Sequence, residues 1–193
     1  MKNRCAWAEG KFAEYVQYHD EEWGIPVFDD RVHFEFLLLE SAQAGLSWAT
    51  ILKKRASYRE AFAEFDPVVV AEYNDAMVET LLTDKGIIRN KLKIKAAISN
   101  ARAFLKIQES FGSFSQYIWS FVDGKPIVGH WKSIDQVPVT TPQSDALAKD
   151  MKKRGFKFLG STTLYAHMQA CGLVNDHTVD CFRYKEILDE ADS

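Results

Sequence analysis

Two cysteines and two histidines stand at opposite ends of this chain, and that separation constrains the fold more than any other feature. Cys5 and His19 lie in the first twenty residues, His177 and Cys181 in the last twenty. Two thiolates and two imidazoles complete the tetrahedral shell of a structural zinc ion. If all four meet at one ion, the two ends of the chain must close on each other like a clasp. A helical His177-x-x-x-Cys181 segment would turn both side chains toward one ion. The same spacing also suits four unrelated residues, two core thiols and two polar imidazoles, and it is less specific than a CxxC pair. Cys171 is an alternative ligand, although its place before Gly172 fits a small buried hydrophobe. Four protein ligands leave no open position for water, and HExxH is absent. His19-Asp20-Glu21 reads as half of a zinc-deaminase signature, but the P-C-x-x-C half is missing. An ion here would therefore be structural Zn2+, and the chemistry must lie elsewhere.

The odd count of three cysteines argues for reduced thiols rather than a disulfide framework. No apolar run is long enough to span a bilayer, so no membrane partner is expected and a cytoplasmic address follows. At 193 residues and 47% hydrophobic composition, the chain can bury a sizeable core as a single domain of two packed helical lobes, residues 1–193, with a polar, fraying tail from about 185. A net charge of −3 argues against binding nucleic acid by bulk charge and leaves room for a local basic face.

Helical periodicity dominates. Residues 31–44 are apolar on most faces, with Asp30 as N-cap and Gly45 as stop, which predicts a central helix. Further helical stretches run from Ser47 to Phe65, from Asp66-Pro67, from Asn74, from about Asn90 to Glu109, from Phe114 to Phe121, from Thr141-Pro142 or Ser144 to Gly155, and from Ser161 as cap to Ala170. Residues 122–140 form an irregular connection that leaves room for a short strand pair, with periodicity too weak to assign one.

A carboxylate stands inside the most apolar helix. Glu40 shares a face with Phe36, Leu37 and Ala44, and burying it without a partner is costly. It either points to a polar pocket or ends in a salt bridge near the helix terminus. Trp7, Tyr15, Tyr18 and Trp23 crowd the N-terminal stretch, and Trp48 follows Gly45-Leu46-Ser47. Such rings can sandwich a flat base, a cationic one with extra attraction, while a carboxylate accepts from an exocyclic amine. Three basic groups, around residues 53–55, 85–95 and 149–157, suit solvated helix faces. In the middle one, a tight turn at Gly86 to Asn90, with Arg89, joins two helical patterns and can offer a helix N-terminus to phosphate. P-loop and dinucleotide motifs are absent.

Tyr18-His19-Asp20-x-Glu22-Trp23-Gly24, Gln43-Ala44-Gly45-Leu46-Ser47-Trp48, Lys152-Lys153-Arg154-Gly155-Phe156-Lys157-Phe158 and Gln169-Ala170-Cys171-Gly172-Leu173-Val174-Asn175-Asp176-His177 together resemble the 3-methyladenine DNA glycosylase I family, in order and over nearly the whole chain. The resemblance implies an all-α helix-hairpin-helix DNA glycosylase fold with a zinc clasp joining the N- and C-terminal segments through Cys5, His19, His177 and Cys181. It implies Glu40 as the catalytic, base-reading group, Tyr18 and Trp48 as stacking walls with Trp7 nearby, Gly45-Leu46 as a wedge in the DNA stack, and the hairpin at Gly86 and Arg89 as a backbone contact. The catalytic aspartate that many helix-hairpin-helix enzymes place after the hairpin is missing from Lys91–Arg102, as it is in the resembled family. The implied activity is monofunctional hydrolysis of 3-methyladenine, and of 3-methylguanine more weakly, from alkylated double-stranded DNA. Free 3-methyladenine is the product, no lyase step follows, and a monomer works near the bacterial nucleoid. A zinc-clasped DNA-binding module without enzymatic activity is the competing reading, and a zinc hydrolase a third.

Overall fold

The computed structural model describes residues 2–191, and helices dominate it. A 3-10 turn at Ala6–Ala8 leads to α1 (Ala13–Glu21), α2 (Asp30–Gln43) and α3 (Trp48–Ala61). The short helices α4 (Pro67–Ala71) and α5 (Asp75–Leu81) precede the longest, α6 (Lys91–Phe111), and then α7 (Phe114–Trp119). After strand β1 (Ile127–Val128) come α8 (Pro142–Lys153), α9 (Ser161–Ala170), strand β2 (Val174–Asn175) and α10 (Phe182–Ala191).

α2 is the axis of the molecule. Every residue from His33 to Ala42 is buried. A helix apolar on most faces is stable only when neighbours surround it, and α3, α6, α7 and α9 all pack against it. The expected caps form at Asp66, Asn74, Asn90 and Thr141, whose side chains accept from the first-turn amides of α4, α5, α6 and α8. Each such cap contributes about 1 kcal/mol.

Two helix starts differ from expectation by one residue. Asp29, not Asp30, caps α2. Asp30 is diverted to another helix: its carboxylate accepts from Gln108 Nε2 and from the amides of Phe114 and Ser115, so it caps α7 across the core. Gly160 is the N-cap of α9, and Ser161 instead donates its hydroxyl hydrogen to Asp145, which ties α9 to α8.

The connection at 122–140 contains one strand whose partner is remote. β1 pairs in parallel with β2, Ile127 opposite Val174. No local pattern announces a pairing of two residues with a segment 47 positions away. The C-terminal expectations also need correction. His177 and Cys181 do not lie on one helical turn, because α10 begins only at Phe182 and the intervening residues form turns. Their proximity comes from the Cys181 amide folding back on the carbonyl of Thr178 at 2.8 Å. Nor does the chain fray from 185: α10 continues to Ala191 because Ile187 is buried against Gly24. Residues 192 and 193 lie outside the described residues. Gly172, at φ +70°, lets this region dock, since a Cβ there would come within 2.3 Å of the Ile25–Pro26 peptide.

Candidate active site

A cavity of about 200 Å³ opens where α1, α2, α3 and α9 converge. Trp7 and Trp23 meet edge to face with centroids 5.0 Å apart, and Tyr18 lies 5.4 Å from Trp48. These rings line the cavity with Glu40 and Gln169. Of the sequence-predicted site residues, Trp7, Tyr18, Glu40 and Trp48 are thus brought together. Trp48 Nε1 is buried without a hydrogen-bond partner among the described residues.

Glu40 is 4% exposed, and burial pushes its carboxyl well above the usual range. It does not end in a surface salt bridge. Its Oε2 lies 2.9 Å from His167 Nδ1, and His167 Nε2 lies 3.1 Å from His33 Nδ1. Burial pushes both imidazoles down to about 3. Gln169 is oriented from behind by Asp176, whose buried carboxylate accepts from Gln169 Nε2, Trp131 Nε1 and Tyr165 Oη. His33, His167, Gln169 and Asp176 escape sequence reasoning. The only hint is that Gln169 and Asp176 stand within the Gln169-to-His177 motif, which assigns neither a role.

The four terminal ligands converge beside this cavity, all buried and with ligand atoms within 4.8 Å of one another. Cys5 Sγ is 3.4 Å from His177 Nδ1, and Cys181 Sγ is 3.5 Å from both His177 Nδ1 and His19 Nε2. Tetrahedral zinc with ordinary Zn–S and Zn–N bonds needs S···N edges of about 3.5 Å. The outer contacts suit such an ion. His177 Nε2 donates to the carbonyl of Trp23 at 2.9 Å and His19 Nδ1 meets Asp20 at 2.8 Å, so each ring turns its other nitrogen to the cluster. These donors fit zinc. Trp7 lies 5.0 Å from the His19 ring and Tyr18 precedes it, so the cluster anchors one wall of the cavity.

Gly45 and Leu46 are exposed at the mouth, between α2 and α3, and border a second hollow shared with Glu40. Gly86 and Arg89 lie apart from the cavity, in the turn between α5 and α6. The Gly86 amide donates to Asp84, and a Cβ there would meet Ser57 at 2.6 Å, so Gly86 serves close packing of the turn against α3. Arg89 is exposed.

Comparison with known proteins places this geometry in context. The family model described as methyladenine glycosylase matches residues 7–184. DNA-3-methyladenine glycosylase 1 of Escherichia coli (strain K12) is 50% identical over 181 residues, covering 94% of this chain and 96% of that one. A crystal structure of 3-methyladenine DNA glycosylase I is 53% identical with a TM-score of 0.90, over 93% of this chain and 98% of the other. A substituted form of 3-methyladenine DNA glycosylase I, in complex with 3-methyladenine, is 38% identical with a TM-score of 0.90, over 93% and 96% of the two chains.

Proposed function

This chain belongs to the methyladenine glycosylase family, and on that premise we propose that it is a monofunctional DNA glycosylase acting on 3-methyladenine in alkylated DNA, in base excision repair. The observation that carries the reading is a buried carboxyl group, Glu40, set among the aromatic walls of one cavity. A flat alkylated base flipped from the stack would enter this cavity and lie against the wall formed by Tyr18 and Trp48, whose ring centroids are 5.4 Å apart, with Trp7 alongside and Glu40 on its amine edge. A protein that only binds DNA has no use for such a pocket.

The substrate lightens the chemistry. Methylation at N3 makes the adenine cationic and weakens its glycosidic bond. Water adds to C1′ and the C1′–N9 bond breaks. The electron pair leaves with the base, which departs neutral, and the proton of the water goes to solvent. An abasic site remains with the strand uncut. Glu40 selects and orients the base, and no lysine acts as a nucleophile. 3-Methylguanine would be the weaker substrate.

Leu46, 40% exposed after Gly45, is the wedge that fills the gap in the stack. α5, the Gly86 turn and α6 form the helix-hairpin-helix that holds the backbone, with Arg89 beside a phosphate. Cys5, His19, His177 and Cys181 would hold a structural Zn2+, which would supply cross-linking of the chain ends and no bond-making chemistry. No described helix is long and apolar enough to cross a membrane. A monomer in the bacterial cytoplasm suits an enzyme that must embrace duplex DNA. The test is release of free 3-methyladenine from methylated duplex DNA by the purified protein; intact methylated DNA after incubation would end this reading.

A further inference from the structure

We propose that His167, backed by His33, is a positioning residue for Glu40: the hydrogen-bond chain joining the three side chains is complete only when Glu40 and His167 share one proton, so Glu40 meets the base as a neutral acid rather than a bare carboxylate. This rests on the reading of Glu40 as the group that faces the base.

The chain starts at the carbonyl of Val27, which can only accept. It takes hydrogen bonds from Trp119 Nε1 at 2.8 Å and from His33 Nε2 at 3.0 Å. A neutral His33 with its proton on Nε2 presents a lone pair at Nδ1. His167 Nε2, 3.1 Å away, must then be the donor. A neutral His167 so protonated presents a lone pair at Nδ1 to Glu40 Oε2 at 2.9 Å. Three hydrogen bonds need three protons, and two neutral imidazoles supply two. The third belongs to the carboxyl group. Sliding it onto an imidazole turns the neutral pair into a carboxylate and an imidazolium and leaves the count unchanged. An ionised Glu40 beside two neutral imidazoles would set two lone pairs against each other in a buried space, which is costly.

The surroundings agree. Burial keeps both imidazoles neutral and favours the carboxylic acid. The other groups facing Glu40 are Tyr18 of α1 and Cys171 after α9, both pushed up by burial and so uncharged. Asp29 and Asp30 face His33 from the start of its own helix. On the other elements packed against α2, Arg55 and Arg59 of α3 are taken by Glu35, Lys93 of α6 by backbone carbonyls, and Glu64 beyond α3 by Arg59. Cys171 lies close enough to the two histidines to complete a metal cluster, but every ring nitrogen of His33 and His167 is already engaged in the chain.

With its hydrogen turned to His167, Glu40 keeps Oε1 as an acceptor for an amine edge. When a cationic base enters, transfer of the proton from Oε2 to His167 Nδ1 makes Glu40 a carboxylate without exchange with solvent.

Proton counting by stability tests this. Above about pH 6.5 the unfolded chain carries an ionised glutamate and two neutral histidines, so folding takes up one proton. A carboxyl whose folded pKa is raised stabilises at low pH, and that contribution is lost as pH rises. Glu40→Gln completes the same chain with its amide hydrogens and takes up no proton. Between about pH 7 and 9 the wild-type melting temperature should fall relative to Glu40→Gln, by a slope equal to one proton. His167→Asn, whose amide donates to Oε2 and lets Glu40 ionise, should follow Glu40→Gln. Parallel curves for wild type and Glu40→Gln, or a wild-type slope in His167→Asn, would overturn the proposal. Nitrogen NMR of the histidine rings should find Nε2–H at both positions, and a neutral Nδ1–H tautomer at His167 would also overturn it. None of these measurements needs excision, so failure of the glycosylase reading would appear separately, as absent base release.

Discussion

Lys93 Nζ donates to the carbonyl oxygen of Ala44 at 2.6 Å, joining the first turn of α6 to the end of α2. The same ammonium reaches the carbonyl of Ala42 at 2.9 Å. A cation therefore satisfies two of the orphan carbonyls at the C-terminus of α2, where the helix dipole favours positive charge. Burial lowers the pKa of Lys93 from its ordinary value. The contact fixes the departure point of the loop that carries Gly45 and Leu46.

Lys93→Met keeps the aliphatic stem and removes both hydrogen bonds. We expect a wedge loop set more loosely, with KM for methylated DNA raised about tenfold and binding of free 3-methyladenine unchanged, a loss of about the size of these two bonds. Steady-state kinetics and equilibrium binding of the base separate the two effects. An equal loss in both would mean that Lys93 acts on the pocket itself.

Glu40→Gln preserves the bond to His167 and cannot become a carboxylate. Excision should fall by roughly 10- to 100-fold, in the range of losing a charge-assisted hydrogen bond, while circular dichroism stays native. Unchanged excision would remove Glu40 from the reaction.

Removal of the clasp should cost stability before chemistry. Metal analysis should find one zinc per chain, and Cys181→Ser or a strong chelator should lower the melting temperature by about 10 °C, since a structural site contributes several kcal/mol to folding. At low temperature the rate per folded molecule should fall less. Full thermal stability in the chelated protein would show that the four residues form an ordinary core cluster.

Asp150 links α7 to α8 through Tyr117 Oη at 2.8 Å and pairs with Arg154. Burial alone would raise its pKa, but the hydrogen bonds from Arg154 and Tyr117 outweigh it and the pKa is lowered. A lowered carboxyl stabilises the fold above the ordinary aspartate range, and that contribution is lost as pH falls through the folded value. Asp150→Asn should therefore melt lower than wild type near neutral pH, and the difference should close below about pH 4. A difference that persists in acid would assign the effect to packing.

The sequence by itself determined the helices from α2 to α9 and, to within a residue, their beginnings, because caps and periodicity act over three or four residues; it did not determine α1 or α10. Asp66-Pro67, Asn74, Asn90 and Thr141 each cap the helix that follows them. It also singled out a helix that had to be central and a carboxyl group stranded within it, since either feature costs free energy unless the rest of the chain answers it. Tertiary structure decided what answered. Asp30 lay one residue from a local capping role and was taken by α7 instead. β1 found its partner in β2, and Asp176 collected donors from two separate segments, Trp131 in the connection before α8 and Tyr165 and Gln169 on α9. His33 and His167 are 134 positions apart, and neither carries a local signal of the other. A hydrogen bond between distant side chains leaves no period in the sequence. It exists only after the apolar faces of α2 and α9 have packed and excluded the water that would otherwise satisfy the same groups.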